Sequence, residues 1–149
     1  MNIERTNWRD QGLSARHRTW GDNLYASDLD FILCEYNWSI CCAIIEYKSE
    51  FATKPNFSSS QYKSLINLGN RADCPLFSVI YSKDFSNYKI TPLNDSAKLY
   101  FKNEIELNEE KFTKFHKYIR EKELKRIRSE TDESFIGFCG QKTCISTDN

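Results

Sequence analysis

The sequence lacks a long apolar run and an excess of charge of either sign. No stretch of its 149 residues approaches the roughly 18 apolar residues of a membrane span, and the opening letters MNIERTNWRDQG lack the apolar region of a signal peptide. Lysine plus arginine equals aspartate plus glutamate at 21 each, so whole-chain charge predicts no partner. We therefore expect a cytoplasmic protein without membrane attachment.

The composition also lacks the marks of disordered, collagen-like and secreted disulfide-rich chains. With 28% charged and 14% aromatic residues, it is typical of one globular domain over residues 1–149. The six cysteines, without a secretion signal, predict free thiols in a reducing compartment. Only Cys139 and Cys144 have a spacing close to a zinc-ligand pair, and no second pair completes four ligands.

The apolar pattern predicts a mixed α/β fold (α/β or α+β) with a mixed sheet. The predicted elements are a helix within 3–20, an antiparallel hairpin of 29–36 and 40–47, a helix at 59–71, a buried strand at 75–81, a more exposed strand at 87–91, and helices at 95–102 and 108–128. The mostly polar tail, 129–149, is expected to be loosely held.

Four charged residues lie at matching ends of the two hairpin strands, in the segments SDLDFILCEYN and AIIEYK. Side chains alternate along a strand, so Asp28 shares a face with Asp30, and Glu46 shares a face with Lys48. Neighbouring strands lie about 4.8 Å apart, so the hairpin would bring three carboxylates and an ammonium near one ion. Carboxylate oxygens are hard ligands, which suit Mg²⁺.

These charges have a simpler interpretation as well. Asp28 can be a turn or cap residue ahead of a strand, and Asp30, Glu46 and Lys48 can form an exposed cross-strand ion pair. Ile32 and Ile44 follow the same alternation and are apolar, so the charges end apolar stripes instead of continuing polar ones. That pattern favours a metal site.

Asp30, followed after fifteen residues by Glu46-Tyr47-Lys48, resembles the PD-(D/E)XK nuclease superfamily, whose pattern is an Asp at the start of one strand and Glu-x-Lys on the next. The order of elements resembles the family's α-β-β-β-α-β core, with the helix in SSSQYKSLINLGN and the buried strand PLFSVIY. The short core is similar to Holliday-junction resolvase-like and virus-type replication-repair nucleases. The resemblance covers about residues 14–91, its first core strand would lie between Gly21 and Ser27, and a helical extension at 95–128 follows.

This resemblance implies a restriction-endonuclease-like fold and hydrolysis of DNA phosphodiester bonds with Mg²⁺ or Mn²⁺. Asp30 and Glu46 would bind the metal, the Tyr47 carbonyl would add a backbone ligand, and Lys48 would position or activate the attacking water. Asp28 is either a further ligand or the principal one in place of Asp30.

Gln61, on the helix that follows the hairpin, is a further catalytic candidate. It is a polar residue on an apolar helical stripe, and related nucleases often use a glutamine of this helix.

Two basic segments are candidate contacts for a nucleic-acid backbone. Arg16, His17 and Arg18 lie near the end of the N-terminal helix, and the segment 111–128 holds eight lysines and arginines against two glutamates. From this segment we expect contacts by Lys114, Lys117 and Lys125. Either segment can instead be a solvated helix surface.

Two alternatives stay open from the sequence. The chain could be a non-catalytic nucleic-acid-binding or inhibitor module that retains the nuclease fold, or its substrate could be RNA. Nothing in the sequence indicates readout of bases, so we expect selectivity for the structure of the nucleic acid. The resemblance also leaves a homodimer open.

Overall fold

A computed structural model describes residues 11–21 and 28–139 of the protein, and for Gln11, Leu13, Ser14 and residues 130–139 it describes the backbone alone. Over this part of the chain, four helices and five strands form. In chain order they are α1 (Gln11–Arg18), β1 (Phe31–Glu35), β2 (Ile40–Ser49), α2 (Ser60–Arg71), β3 (Leu76–Tyr81), β4 (Tyr88–Pro92), α3 (Asp95–Lys98), β5 (Ile105–Leu107) and α4 (Glu109–Cys139).

The five strands form one mixed sheet in the order β1-β2-β3-β4-β5. β1 and β2 are antiparallel, β2 and β3 are parallel, and β4 pairs antiparallel with both β3 and β5. The parallel pair requires a crossover, and α2 supplies it. The mixed α/β fold expected from the sequence is therefore confirmed.

The hairpin of β1 and β2 forms because two β-branched and aromatic segments are joined by a short polar turn. Its register pairs Phe31 with Ile45 and Ile32 with Ile44, and it shifts at a bulge between Leu33 and Cys34. Ser39 ends the turn with a positive φ of 54°. This register places the residue before β1 beside the last residues of β2.

The two faces of the sheet pack against different helices. Because side chains alternate along a strand, one face of β2 and β3 meets α4 and the other meets α2. The face toward α4 holds the larger core, with Ala43, Ile45, Phe77, Val79, Ile90, Phe112 and Ile119. The face toward α2 holds a smaller core of Ile44, Leu65, Cys74 and Leu76. The nearly unbroken apolar run of β3 is buried on both faces, as predicted.

The C-terminal part of the sheet departs from the prediction. The helix expected over 95–102 ends at Lys98, and the unpredicted strand β5 follows. Tyr100 and Phe101 leave the helix and pack against Phe77, with ring centroids 5.9 and 5.7 Å away. The segment 95–128 is thus not wholly helical, and α4 continues past the predicted end at Arg128 to Cys139.

α1 lies within the helical segment predicted at residues 3–20, of which residues 3–10 fall outside the described part. The first strand that the nuclease resemblance requires would fall mostly on residues 22–27, which also lie outside it. No helix in the described ranges combines the length and apolar character needed to cross a membrane.

Asn94 joins β3, α2 and α3 through a buried side-chain amide. Its Oδ1 accepts hydrogen bonds from the backbone N–H groups of Leu76 and Ala97, both at 3.0 Å, and its Nδ2 donates to the Cys74 carbonyl at 2.9 Å. Gly69 is required beside it, since a Cβ there would lie 2.8 Å from Asn94 Nδ2. Asn94 thus both caps α3 and fixes the backbone at the start of β3.

We predict that Asn94→Ala lowers the free energy of unfolding by about 3 kcal/mol, because it leaves buried backbone groups without partners. Chemical denaturation monitored by circular dichroism measures this loss. The matched control is Asn108→Ala, which removes the exposed cap of α4 and should cost about 1 kcal/mol. Equal losses for the two variants would contradict the role assigned to Asn94.

Candidate active site

Four of the predicted site residues come together where β1 begins and β2 ends. Asp30 immediately precedes β1, Glu46 and Lys48 lie on one face of β2, and Gln61 is the second residue of α2. The N-cap hydrogen bond from the Tyr62 N–H to the Ser59 side chain starts α2 here. The first turn of α2 therefore lies over the end of β2.

Glu46 is the centre of this cluster. Its side chain is only 2% exposed, and its Oε1 accepts hydrogen bonds from Lys48 Nζ at 3.0 Å and from Gln61 Nε2 at 3.3 Å. Burial raises the pKa of Glu46 against the opposing effect of Lys48, and the negative charge of Asp30 raises it further. The carboxylate is thus held in a place where its ionised form is unfavourable.

Asp30 reaches β2 through the backbone. Its Oδ2 accepts a hydrogen bond from the Tyr47 N–H at 3.0 Å. The N–H and C=O of one strand residue point to the same side, so the Tyr47 carbonyl also points toward the side of Asp30. The Tyr47 carbonyl therefore lies on the β1 side of β2, near Asp30.

Lys48 remains positively charged in this setting. Partial burial of the ammonium works to lower its pKa, but the hydrogen bond and charge of Glu46, together with the charge of Asp30, outweigh burial and raise it. A lysine with a raised pKa is a donor and a positive charge at neutral pH, not a base. Lys48 can position a water molecule or stabilise a phosphate, but it is a poor acceptor of a proton.

Two buried hydroxyl groups border the same cluster without a hydrogen-bond partner among the described residues, those of Ser78 and Tyr62. Ser78 lies opposite Glu46 in the register of β2 and β3. Tyr62 follows Gln61 and is close enough to Lys48 to contribute to its raised pKa. Buried hydroxyl groups are rarely left unpaired, so this region offers polar contacts beyond those made within the protein.

A cleft of about 290 Å³ opens next to Lys48 on the same face of the sheet. Lys48 pairs in register with Ile80, Ile80 with Lys89, and Lys89 with Glu106, and this row lines the cleft together with Lys54. Lys89 is paired with Glu104 at 3.6 Å and Glu106 at 3.3 Å. The buried carboxylate is therefore next to a solvent-open surface that carries lysines.

The basic helix α4 lies on the opposite face of the sheet. Tyr47, which alternates with Glu46, packs on Phe112 of α4 at 6.5 Å between ring centroids, and its hydroxyl shares a hydrogen bond with His116 Nε2 at 3.3 Å. The exposed residues of α4 point further away from the sheet, among them the three predicted contacts Lys114, Lys117 and Lys125. The structure does not bring these three lysines to the cluster, and Lys114 is paired with Glu110 at 2.6 Å.

Arg16, His17 and Arg18 end α1. The Arg16 carbonyl accepts the Thr19 hydroxyl at 2.7 Å, and the His17 ring packs on Trp20 at 5.1 Å. Residues 22–27, which connect α1 to the hairpin, are outside the described part. The proposed phosphate contacts of α1 stay predictions.

Asp28 is exposed, and the Tyr47 N–H of β2 donates its hydrogen bond to Asp30. Across residues 11–21 and 28–139, no three Asp, Glu, His or Cys side chains form a group that could hold a metal ion. The three-carboxylate arrangement expected from the hairpin is therefore not seen. A metal at this site would have Asp30 and Glu46 as its side-chain ligands, and a ligand role for Asp28 stays a prediction.

Comparison of the chain with protein-family models, with curated protein sequences and with solved structures gives no match in any of the three. The resemblance to the nuclease superfamily therefore depends on the residues and the order of elements alone.

Sequence reasoning missed Ser78, Tyr62, Lys54 and Lys89. Ser78 had a signal, because it is the only hydrogen-bonding side chain inside the run PLFSVI. Lys89 had none, because its place in the cleft depends on the register in which β4 pairs with β3.

We predict that Glu46→Gln has a thermal midpoint at or above that of the wild type at pH 8. The pKa of Glu46 is raised above its ordinary 4.5 in the folded state, so its contribution to stability is present below that value and is lost as the pH rises through the folded pKa. The neutral amide keeps the shape and avoids this loss. The advantage should shrink as the pH falls toward 4.5.

Differential scanning calorimetry across pH 4.5–8 measures this dependence, with the exposed Glu106→Gln as the matched control. A large loss of stability in Glu46→Gln at pH 8 would show that the ionised carboxylate stabilises the fold and would contradict the prediction.

Proposed function

We propose that the protein is a divalent-metal-dependent nuclease that hydrolyses phosphodiester bonds of DNA. The observation that carries this proposal is that Asp30, Lys48 and Gln61 lie around the buried carboxylate of Glu46, beside an open cleft. Asp30 precedes β1 and accepts the Tyr47 N–H of β2, Lys48 belongs to β2, and Gln61 belongs to α2. An exposed cross-strand ion pair, the simpler interpretation of these charges, would not require a carboxylate that is 2% exposed.

The donors at this site fit Mg²⁺ or Mn²⁺. Mg²⁺ typically takes one or two protein carboxylates and completes its shell with waters and phosphate oxygens, and the cluster offers Asp30, Glu46 and the Tyr47 carbonyl. The buried hydroxyl groups of Ser78 and Tyr62, which have no hydrogen-bond partner within the described part of the chain, can bind polar molecules nearby. When bound, the metal would supply positive charge that polarises a phosphate and acidifies water.

The side chains of the chain would then have separate roles. Glu46 and Asp30 hold negative charge where a cation is needed, and their mutual repulsion, which raises the pKa of Glu46, is relieved when a cation is present. Lys48, being protonated, would donate a hydrogen bond to the attacking water or to a phosphate oxygen. Gln61 fixes the orientation of Glu46 through its amide.

The described order α1, β1, β2, α2, β3 supports a restriction-endonuclease-like fold, because it is the α-β-β-β-α-β pattern with one strand fewer. The hairpin β1-β2, the crossover α2 and the parallel strand β3 follow one another as a restriction-endonuclease-like core requires. We include this fold in the proposal, with its first strand falling on residues outside the described part.

The cleft indicates where the nucleic-acid backbone would lie. Lys48 and Lys54 line it on the face of the cluster, whereas α4 lies behind the sheet. Contacts by lysine to phosphate carry no base information, so cleavage selective for structure, as in branched or single-stranded DNA, fits this surface.

We predict cleavage of plasmid, single-stranded or branched DNA with Mg²⁺ or Mn²⁺, which stops when a chelator is added. Lys48→Ala should lower the rate by about 100-fold or more, because it removes charge stabilisation at the reacting phosphate. Gel electrophoresis of the products measures both effects. The matched control is Lys63→Ala, an exposed lysine on α2, which should retain wild-type activity.

The same assay separates the alternatives. Cleavage of RNA but not DNA would assign the substrate to RNA. If the protein binds nucleic acid but does not cleave it with any of the metals tested, the result would favour the non-catalytic binding module and would contradict the nuclease proposal.

We further predict that Lys54→Ala weakens binding of a DNA duplex in the presence of chelator and lowers the slope of log affinity against log salt by about one, because one phosphate contact is lost. Fluorescence anisotropy at several salt concentrations measures the slope. Lys117→Ala, on the outer surface of α4, is the matched control and should leave it unchanged. The reverse result would place the nucleic acid on α4.

A further inference from the structure

Two cysteine sulfur atoms lie in contact at the end of β2 that is remote from Glu46. Cys41 Sγ and Cys74 Sγ are 3.2 Å apart. Cys41 is the second residue of β2, and Cys74 lies two residues before β3. A disulfide bond is about 2.05 Å long, so the two sulfur atoms are about 1.2 Å further apart than in a disulfide.

The backbone on both sides of this contact is fixed by hydrogen bonds. The Cys74 N–H donates to the Gly69 carbonyl at 2.9 Å, and the Cys74 carbonyl accepts from Asn94 Nδ2 at 2.9 Å. Cys41 is held within the ladder of β1 and β2, opposite Cys34. The two sulfur atoms are therefore brought together by the fold.

The two thiols differ in access. Cys41 is exposed, whereas Cys74 is 3% exposed and packs with Ile44 and Leu65. A reagent in solution can reach Cys41 first, and Cys74 is then in place to react with Cys41 from inside.

The pKa values of the two thiols differ in the direction that this order of reaction requires, with Cys41 reacting first. The hydrogen bond with Cys74 lowers the pKa of Cys41 to about 7, although burial opposes it. The same hydrogen bond and burial raise the pKa of Cys74. The thiolate is the nucleophile in disulfide exchange, and a thiol whose pKa is near the ambient pH attacks fastest.

We propose that Cys41 and Cys74 form a dithiol modification site, which reacts with low-molecular-weight disulfides such as oxidised glutathione to give an intramolecular Cys41–Cys74 disulfide. This site is separate from the proposed nuclease site and does not depend on it.

The reaction balances in two exchange steps. The Cys41 thiolate attacks one sulfur of the small disulfide, so a bond forms between Cys41 and one glutathione while the other leaves as a thiolate and takes up a proton. Cys74 loses its proton to solvent, and its sulfur attacks Cys41 Sγ and releases the second glutathione. The two protein thiols are oxidised, and the small disulfide is reduced to two thiols.

The other described cysteines are less suited to this reaction. Burial raises the pKa of Cys42 to about 11, so its thiolate is scarce at neutral pH. Cys34 is exposed, and its Sγ contacts the carbonyl of Ile32 at 3.6 Å. Cys34 is nevertheless the cross-strand neighbour of Cys41, and the experiment must distinguish the two pairings.

The test exposes the folded full-length protein to oxidised glutathione at neutral pH and follows its mass and its remaining thiols. The wild type should lose two thiols without retaining glutathione, and dithiothreitol should restore both. After tryptic digestion, peptide 72–83, which contains Cys74, should be linked to peptide 19–48. The latter also contains Cys34 and Cys42, so variants are needed to assign the bond.

Cys74→Ser should stop at one retained glutathione per molecule on Cys41, because the resolving thiol is missing. Cys41→Ser, at an exposed position, should lose the link to peptide 72–83, whereas Cys34→Ser and Cys42→Ser should retain it. Circular dichroism of each variant confirms folding, and Cys41→Ser decides the outcome if Cys74→Ser fails to fold.

Three results would overturn the proposal. The first is a wild type that retains glutathione without forming a disulfide. The second is a disulfide link between peptides 19–48 and 72–83 that persists in Cys41→Ser or disappears in Cys34→Ser. The third is a folded wild type that does not react with the small disulfide at all.

Discussion

The buried carboxylate of Glu46 is the constraint on which the local structure depends. A carboxylate with 2% exposure is unfavourable unless it receives hydrogen bonds, and here Lys48 and Gln61 donate them. Gln61 can reach Glu46 only if α2 returns with its first turn above the end of β2. Burial still raises the pKa of Glu46, so the ionised carboxylate lowers the stability of the fold at neutral pH.

Because side chains alternate along β2, its core residues lie on one face and the charged residues of the cluster lie on the other. Ala43, Ile45 and Tyr47 face α4 and belong to the larger core or pack against it, whereas Glu46 and Lys48 face the opposite way. The packing behind the strand fixes the position of the cluster, as the proposed metal site would require. The same alternation explains why the basic helix, packed on the core side, lies away from the carboxylates.

The two ends of β2 carry different chemistry. Glu46 and Lys48 lie near its C-terminal end with Asp30, and Cys41 lies near its N-terminal end against Cys74. Both groups of side chains are joined to α2, since Gln61 lies in its first turn and Cys74, which contacts Cys41, donates its N–H to the Gly69 carbonyl near its last turn. One crossover helix therefore holds both groups of side chains in place.

The hairpin, α2 and β3 could be predicted from local patterns, because their apolar periodicity and turn residues are local, and the same patterns indicated that Asp30, Glu46, Lys48 and Gln61 could meet. The end of α3, where Tyr100 and Phe101 turn away to pack on Phe77, and the pairing of β5 with β4 could not be predicted in this way. The same holds for the place of α4 behind the sheet, for Ser78 and Tyr62 beside the cluster, and for the contact of Cys41 with Cys74. These features depend on contacts between residues far apart in the chain, and a local pattern does not specify which face of a sheet a later helix will cover.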